Sequence, residues 1–239
     1  MISIIIPTLN EEKYLPQLLD SIKEQDFKDY EIIVADAGSK DKTVDIAKKY
    51  GCLVVKGGLL PAGRNRGADV ARGDVLLFLD SDSLLPHKEF LKNAINEFEK
   101  RGLSCAGFPL RPYDGKLIDR LALGVWNVLA YVTQRFLPHA AAAILIKKDL
   151  HYKIKGFDEE IVFVEDHPYV REAGKISKFG FIKNEPVYVS VRRYIKDGRF
   201  NVYFKYMLAG FYIIFIGPIK SDIFKYKFGH YDNKPKDKK

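Results

Sequence analysis

The feature that most constrains this 239-residue chain is the alternation of apolar runs and helix-spaced patterns over its first hundred residues. Residues 2–6 are an apolar, β-rich run that Pro7 ends. Asn10 is placed to cap a helix, with Glu11 and Glu12 in its first turn, where carboxylates favour the positive end of the helix dipole. Leu15, Leu18, Leu19 and Ile22 then recur at helical spacing. Residues 31–35 (EIIVA) read as the second strand, Asp41 as a cap for a helix over 42–50, and residues 52–55 as a third strand. A helix over 64–71 follows a Gly/Pro-rich turn, residues 75–79 (VLLFL) make the fourth strand, and a helix covers about 87–101. Runs that are apolar throughout suit strands covered on both faces. The alternation predicts an α/β fold with a mainly parallel sheet and helices on both sides.

Beyond Arg101 the rhythm weakens. Strands are expected over 104–109, 141–146 and 187–191, an apolar helix over 121–134, and a helix over 165–173. From Phe200 the chain is helical and aromatic. With no internal repeat or low-complexity linker, the organisation expected is one domain over 1–199 and a C-terminal appendage over 200–239.

Charge bears on partners. The net charge is +8, and the last twenty residues hold seven lysines against three aspartates, so half of the excess lies in the tail. That distribution does not resemble a nucleic-acid-binding face. It suits a basic tail near an anionic membrane leaflet, or a plainly solvated terminus. The chain opens on a strand-like run without a basic leader, so no signal peptide is expected. Residues 121–134 and 206–219 are two uncharged apolar stretches of 14 residues each. As helices they reach about 21 Å, short of the roughly 30 Å hydrocarbon core. They read as interfacial helices or as helices covered by the core or a dimer interface. Cys52 and Cys105 lie in separate apolar runs and are expected to be buried free thiols, in keeping with a cytoplasmic location.

In an open parallel sheet, ligands bind at the carboxyl ends of the strands. The segments there are Pro7-Thr8-Leu9-Asn10-Glu11, Asp36-Ala37-Gly38-Ser39, Gly63-Arg64-Asn65 and Asp80-Ser81-Asp82-Ser83. All are polar and all belong on one rim. Asp80 and Asp82 can approach one hard cation, Mg²⁺ or Mn²⁺, whose open positions are taken by substrate phosphates. Asp36 can accept hydrogen bonds from a base or ribose, or it can be a turn residue before Gly38. Arg64 can pair with a diphosphate; as a solvated residue at a helix start it would oppose the dipole. The Gly-x-Gly-x-x-Gly turn of dinucleotide enzymes and the Gly-x₄-Gly-Lys-Ser/Thr loop are both absent. A sugar-phosphate nucleotidyltransferase and a non-catalytic membrane-associated binder remain as rival readings.

The ordered segments SIIIPTLNE, EIIVADAGSKDKT, GRNRGADVARGDVLLFLDSD, GFDEE and VED resemble the family 2 glycosyltransferases, which have the Rossmann-like GT-A fold. The resemblance covers about residues 2–170. It implies transfer of a sugar from a UDP- or GDP-sugar to a hydroxyl acceptor with inversion. It places Pro7, Thr8, Asn10, Glu11, Asp36, Arg64, Asp80 and Ser81 in the donor site, and Asp80 and Asp82 at the metal and diphosphate. Asp166 matches the catalytic base with Glu165 as its partner; taken alone, the pair is a helix start favoured by the dipole. Many members carry two aspartates before Gly-Ser, where this chain has Asp36-Ala37. Val191-Arg192-Arg193-Tyr194 with Gly198 resembles a short basic motif of some members. Arg192 and Arg193 then hold diphosphate or an acidic acceptor, or they form a solvated basic loop. The aromatic segment from Phe200 and the lysines after it place the protein peripherally at a cytoplasmic membrane surface, on a lipid-linked acceptor. A homo-oligomer is the other use for the same apolar helices.

Overall fold

The computed structural model describes residues 1–224. Strand β1 (Ile2–Thr8) is buried along its whole length, and its side chains alternate between two cores. Ile4 and Ile6 face one, Ile5 the other. Each fully buried isoleucine contributes about 1.5–3 kcal/mol relative to exposure, so a strand with isoleucines on both sides holds both faces of a sheet covered.

The chain runs on through α1 (Leu15–Lys23), β2 (Tyr30–Asp36), α2 (Thr43–Lys49), β3 (Leu53–Lys56), α3 (Leu60–Val70), β4 (Val75–Leu79), β5 (Ser83–Leu84) and α4 (Phe90–Lys100). It continues with β6 (Cys105–Gly107), β7 (Leu110–Pro112), α5 (Leu117–Thr133), β8 (Ala143–Lys147), α6 (Lys148–Lys153), α7 (Asp166–Ile176), β9 (Phe179–Phe181), β10 (Val187–Val189), α8 (Arg192–Asp197) and α9 (Arg199–Phe215). The main sheet has the order β3-β2-β1-β4-β8-β6-β9. Its pairs are parallel except those made by β8, which runs antiparallel to β4 and β6. A smaller sheet, β5-β10-β7, lies beyond the end of β4.

Helix α3 shows why its residue types matter. A Cβ at Gly67 would overlap Ile5 Cγ2, and one at Gly63 would stand 3.2 Å from Pro7 Cβ. With Ala62 and Ala68 also buried, the helix backbone lies close against β1 and β2. That approach brings Arg64 to Asp80 at the end of β4. Pro7 itself sits where β1 has outrun its pairing with β4, which ends at Ile5↔Phe78, and continues beside β2 alone. A missing N–H is tolerated there.

Several local expectations are corrected. Asn10 caps no helix: its φ is +56° and α1 begins five residues later, with Pro16 in its first turn. The Asn10 side chain accepts from Lys40 N (2.8 Å) and its N–H donates to Ser39 Oγ (2.8 Å), tying the β1 exit to the β2 exit. Glu11 is accordingly buried among side chains, outside the first helical turn. Arg64 lies in the second turn of α3, away from the helix start, so the dipole argument drops out. The strand expected over 104–109 is split, because the chain leaves the main sheet after Gly107 and enters the smaller one at Leu110. The strand expected over 187–191 stops at Val189, since Ser190 Oγ and Val191 N both bond Asp114 instead. Cys52 and Cys105 are buried free thiols, as expected.

The amino-terminal turns of α5 and α9 meet at buried Asp119, which accepts from Arg199 Nε (2.9 Å) and Tyr203 Oη (2.6 Å). Both helices expose apolar faces. Val125 and Val132 on α5 are 61% and 69% accessible, and Phe200 and Phe215 on α9 are 86% and 78%. Among the described residues no helix is long and apolar enough to cross a membrane.

Candidate functional site

Arg64 is the centre of the rim. It is 2% exposed, and its guanidinium reaches three carboxylates. Nη2 donates to Asp80 Oδ1 (2.8 Å), Nη1 donates to Glu165 Oε1, and Asp166 Oδ1 lies 3.0 Å from Nη1 without hydrogen-bond geometry. The Phe157 ring lies 5.2 Å from the guanidinium carbon. One cation cannot fully neutralise three carboxylates crowded around it, so the cluster holds on to protons. Burial, opposed by Arg64 and reinforced by Glu165 and Asp80, pushes the Asp166 carboxyl up to about 8. Burial, opposed by Arg64 and reinforced by Asp82 and Glu165, raises Asp80 to about 6.

The backbone around this cluster is strained. Val164, directly before Glu165-Asp166, has φ +52°, an outlier for a β-branched residue. Ala142, whose carbonyl accepts from Asp80 N (2.9 Å), has φ +59°. Strain of this kind persists where the surrounding structure over-determines it, and it concentrates at functional sites.

A second centre stands beside the first. Arg192 Nη1 and Nη2 donate to the two Glu11 oxygens (both 2.7 Å), its Nε donates to Asp82 Oδ2 (2.8 Å), and its guanidinium carbon lies 4.2 Å from the Tyr14 ring centroid. The reading of Arg192 as part of a solvated loop is therefore corrected: it opens α8 and is clamped. The Glu11 carboxyl is raised to about 7 by burial, against the pull of Arg192 and a bond from Ser81. Arg193 points elsewhere and donates to Tyr206 Oη (3.3 Å) on α9.

A third group closes the β2 exit. Asp36 accepts from Gly38 N and Ser39 N (both 2.9 Å), Thr8 Oγ1 (3.2 Å) and Ser39 Oγ. Gly38 has φ +92°, so Asp36 acts here as the turn residue. Thr8, Asn10 and Asp36 thus lie together, Glu11, Ser81, Asp82 and Arg192 form the middle group, and Arg64, Asp80, Glu165 and Asp166 form the third. Tyr14, Phe157 and Tyr206 had no signal in the sequence that set them apart from other aromatics.

The donor chemistry fits a hard divalent cation. Asp80 and Asp82 each engage an arginine through one oxygen, leaving Asp80 Oδ2 and Asp82 Oδ1 outside those pairs. No group of three or more His, Cys, Asp or Glu among the described residues could cage an ion. Mg²⁺ and Mn²⁺ sites built on one or two carboxylates are completed by substrate phosphates and water.

A mainly parallel sheet whose carboxyl rim gathers an arginine, a row of carboxylates and strained turns is the open α/β architecture in which ligands bind along that rim. Residues 3–167 match the model of Glycosyl transferase family 2; the chain belongs to that family and has the GT-A fold. Over 102 residues it is 38% identical to the poly(ribitol-phosphate) beta-N-acetylglucosaminyltransferase TarS of Staphylococcus aureus, a match covering 38% of this chain and 18% of that one. The chain thus spans less than a fifth of that curated relative's length. Similar solved structures include the mannosyltransferase PcManGT from Pyrobaculum calidifontis in complex with GDP-Man and Mn²⁺, with a TM-score of 0.71 and 20% identity over 87% of this chain and 61% of that one. The S. aureus TarS 1-349 complex with UDP-GlcNAc has a TM-score of 0.67 and 21% identity over 88% of this chain and 66% of that one. At these identities the structural likeness is one of fold.

Proposed function

We propose that the protein transfers a sugar from a UDP- or GDP-sugar to an acceptor hydroxyl, with inversion and with Mg²⁺ or Mn²⁺ held at Asp80 and Asp82. The observation that carries this reading is Arg64 set among Asp80, Glu165 and Asp166 at the carboxyl rim. The metal, when bound, supplies positive charge for the departing nucleoside diphosphate. Arg64 adds a fixed guanidinium for the same charge. Glu165 keeps Arg64 oriented, and Asp166 in its ionised form accepts the proton of the acceptor hydroxyl as it attacks the anomeric carbon. Attack opposite the leaving group inverts that centre. Thr8, Asn10 and Asp36 border the nucleotide, and Arg192 meets the diphosphate from the Asp82 side. The similar solved proteins hold UDP-GlcNAc, and GDP-Man with Mn²⁺, which supports both nucleotide candidates. Calorimetry with UDP and GDP, with and without Mn²⁺, tests the donor site. Nucleotide affinity is expected to need the metal and Asp82; equal affinity in EDTA or in Asp82→Ala would contradict it.

We further infer that the protein works peripherally on a cytoplasmic membrane face, on a lipid-linked acceptor. The exposed apolar faces of α5 and α9 support this, since contiguous faces of this kind are rarely left in water. The buried free thiols agree with the compartment. Lys225, Lys227, Lys234, Lys236, Lys238 and Lys239, expected to add attraction for an anionic leaflet, lie outside the described residues. Sedimentation with anionic vesicles is the check: binding at low salt is expected. Failure to bind, with dimers in solution, would assign the same faces to an oligomer interface.

A further inference from the structure

Among the described residues, Arg171 is a half-buried cation without a counter-charge. Arg171 lies on α7, and its Nε and Nη2 are buried without a hydrogen-bond partner. No ion pair to it is formed among the described residues. Arg64 and Arg192, the other arginines drawn into the interior near the rim, each meet two or more carboxylates. A buried guanidinium without an anion is costly, and such groups are found paired.

Two imidazoles share its surroundings. His167 stands four residues before Arg171 on the same helix, a spacing that puts both on one face. The His139 ring lies across from it, with centroids 4.9 Å apart and planes at 88°. His167 Nδ1 is buried and unpartnered as well. Burial, then Arg171, lowers His139 to about 4; burial, then His139 and Arg171, lowers His167 to about 3. Both rings are therefore neutral near pH 7, and each has an N–H to donate. A histidine pair alone can suggest a soft metal, but a guanidinium in the same cluster repels a cation.

The cluster also adjoins the reacting groups along the chain. His167 follows Asp166 directly, and His139 stands three residues before Ala142, whose carbonyl accepts from Asp80 N. We propose that His139, His167 and Arg171 form an anion subsite that seats a phosphate group of the acceptor beside Asp166. The anion site stands on the cluster alone; its use by an acceptor rests on the transferase reading. A tetrahedral phosphate suits donors converging from three side chains better than a planar carboxylate does, and the guanidinium fork pairs with two of its oxygens. The arrangement would place an acceptor hydroxyl near Asp166 by anchoring a charged neighbour of it.

The test is a titration of the full chain with labelled histidines, of which there are five, followed by NMR. His139→Gln and His167→Gln assign the two ring signals. Inorganic phosphate is expected to move both signals saturably. Glycerol 1-phosphate doing the same points to a soluble phosphate ester, whereas movement only with phosphatidic acid vesicles, and not phosphatidylcholine, points to a lipid headgroup. Arg171→Gln should weaken phosphate at least about tenfold, the loss expected for a charge-assisted bond. Saturating UDP should leave the phosphate affinity unchanged. Ring signals that ignore every phosphate probe overturn the proposal, and this arm needs no variant to fold. So does an Arg171→Gln variant with wild-type affinity, or displacement of phosphate by UDP. UDP failing to bind while phosphate still moves both rings removes the donor reading and leaves the anion site standing.

Discussion

Two arginine centres adjoin on the rim and are built in opposite ways. Arg64 stands on a helix pressed against β1, and it faces three carboxylates from two distant parts of the chain. Arg192 opens a short helix after the smaller sheet, and it faces two carboxylates and the ring of Tyr14. The first centre has more negative charge than its cation can balance and retains a proton; the second is nearer balance and divides its guanidinium between Glu11 and Asp82. The difference suggests a division of labour. An over-acidic, rigid centre suits proton transfer, whereas a balanced one next to Asp82 suits exchange of partners when a diphosphate arrives.

The sharpest way to break that division is at Asp166. Asp166→Asn keeps the shape of the side chain and removes the base. Transfer to an acceptor is expected to fall by about 10²–10⁴-fold, the usual contribution of a positioned base. UDP or GDP affinity, read by calorimetry, should stay at the wild-type value. Transfer at the wild-type rate in the folded variant would remove the assignment.

The next largest effect separates the centres by stability. Arg64→Ala leaves three carboxylates without their cation, at a cost of about 3 kcal/mol or more by analogy with broken buried pairs. Arg192→Ala leaves Asp82 able to reach water and Glu11 able to take up a proton. Its cost falls between the exposed and buried limits, about 1–2 kcal/mol. Urea unfolding of both variants checks the order. Equal losses would mean that the two centres carry equal burdens and that the contrast drawn between them is wrong.

How far each centre was legible follows from how it is assembled. Arg64, Asp80 and the Glu165-Asp166 pair each sit at the end of an apolar run or in a segment with a recognisable order, so their convergence on one rim was readable. Strand β4, apolar throughout, marked the sheet centre for the same reason. Arg192 meets Glu11 across 181 positions of sequence. The small sheet β5-β10-β7 helps bring them together, and strands of two or three residues leave no periodicity to read. Asn10 misled because the same residue type serves as a helix cap and as a bridge between loops, and the choice depends on Ser39 and Lys40 standing opposite. Arg171 was invisible as a site residue, since an arginine in a helical pattern is normally solvated.

The smallest expected effect tests the proton retained in the Arg64 centre. Asp166 and Asp80 titrate near 8 and 6 in the folded protein, against about 3.9 for an unfolded aspartate. Between those values the folded state holds more protons than the unfolded one, so stability falls as pH rises. The stabilisation is complete below about pH 4 and is lost by the time pH passes about 8. Asp166→Asn cannot ionise and so escapes its share of that loss. In metal-free buffer its Tm should therefore decline less than the wild-type Tm between pH 5 and pH 9. Each kcal/mol retained is worth about 2–4 °C for a chain of this size. Asp80→Asn should flatten the lower part of the same curve. Glu11 also titrates near 7, but it belongs to the Arg192 centre, so its contribution should persist in Asp166→Asn and vanish in Glu11→Gln. Parallel wild-type and Asp166→Asn curves across the whole range would show that Asp166 is ionised throughout, and that the two arginine centres are equally balanced.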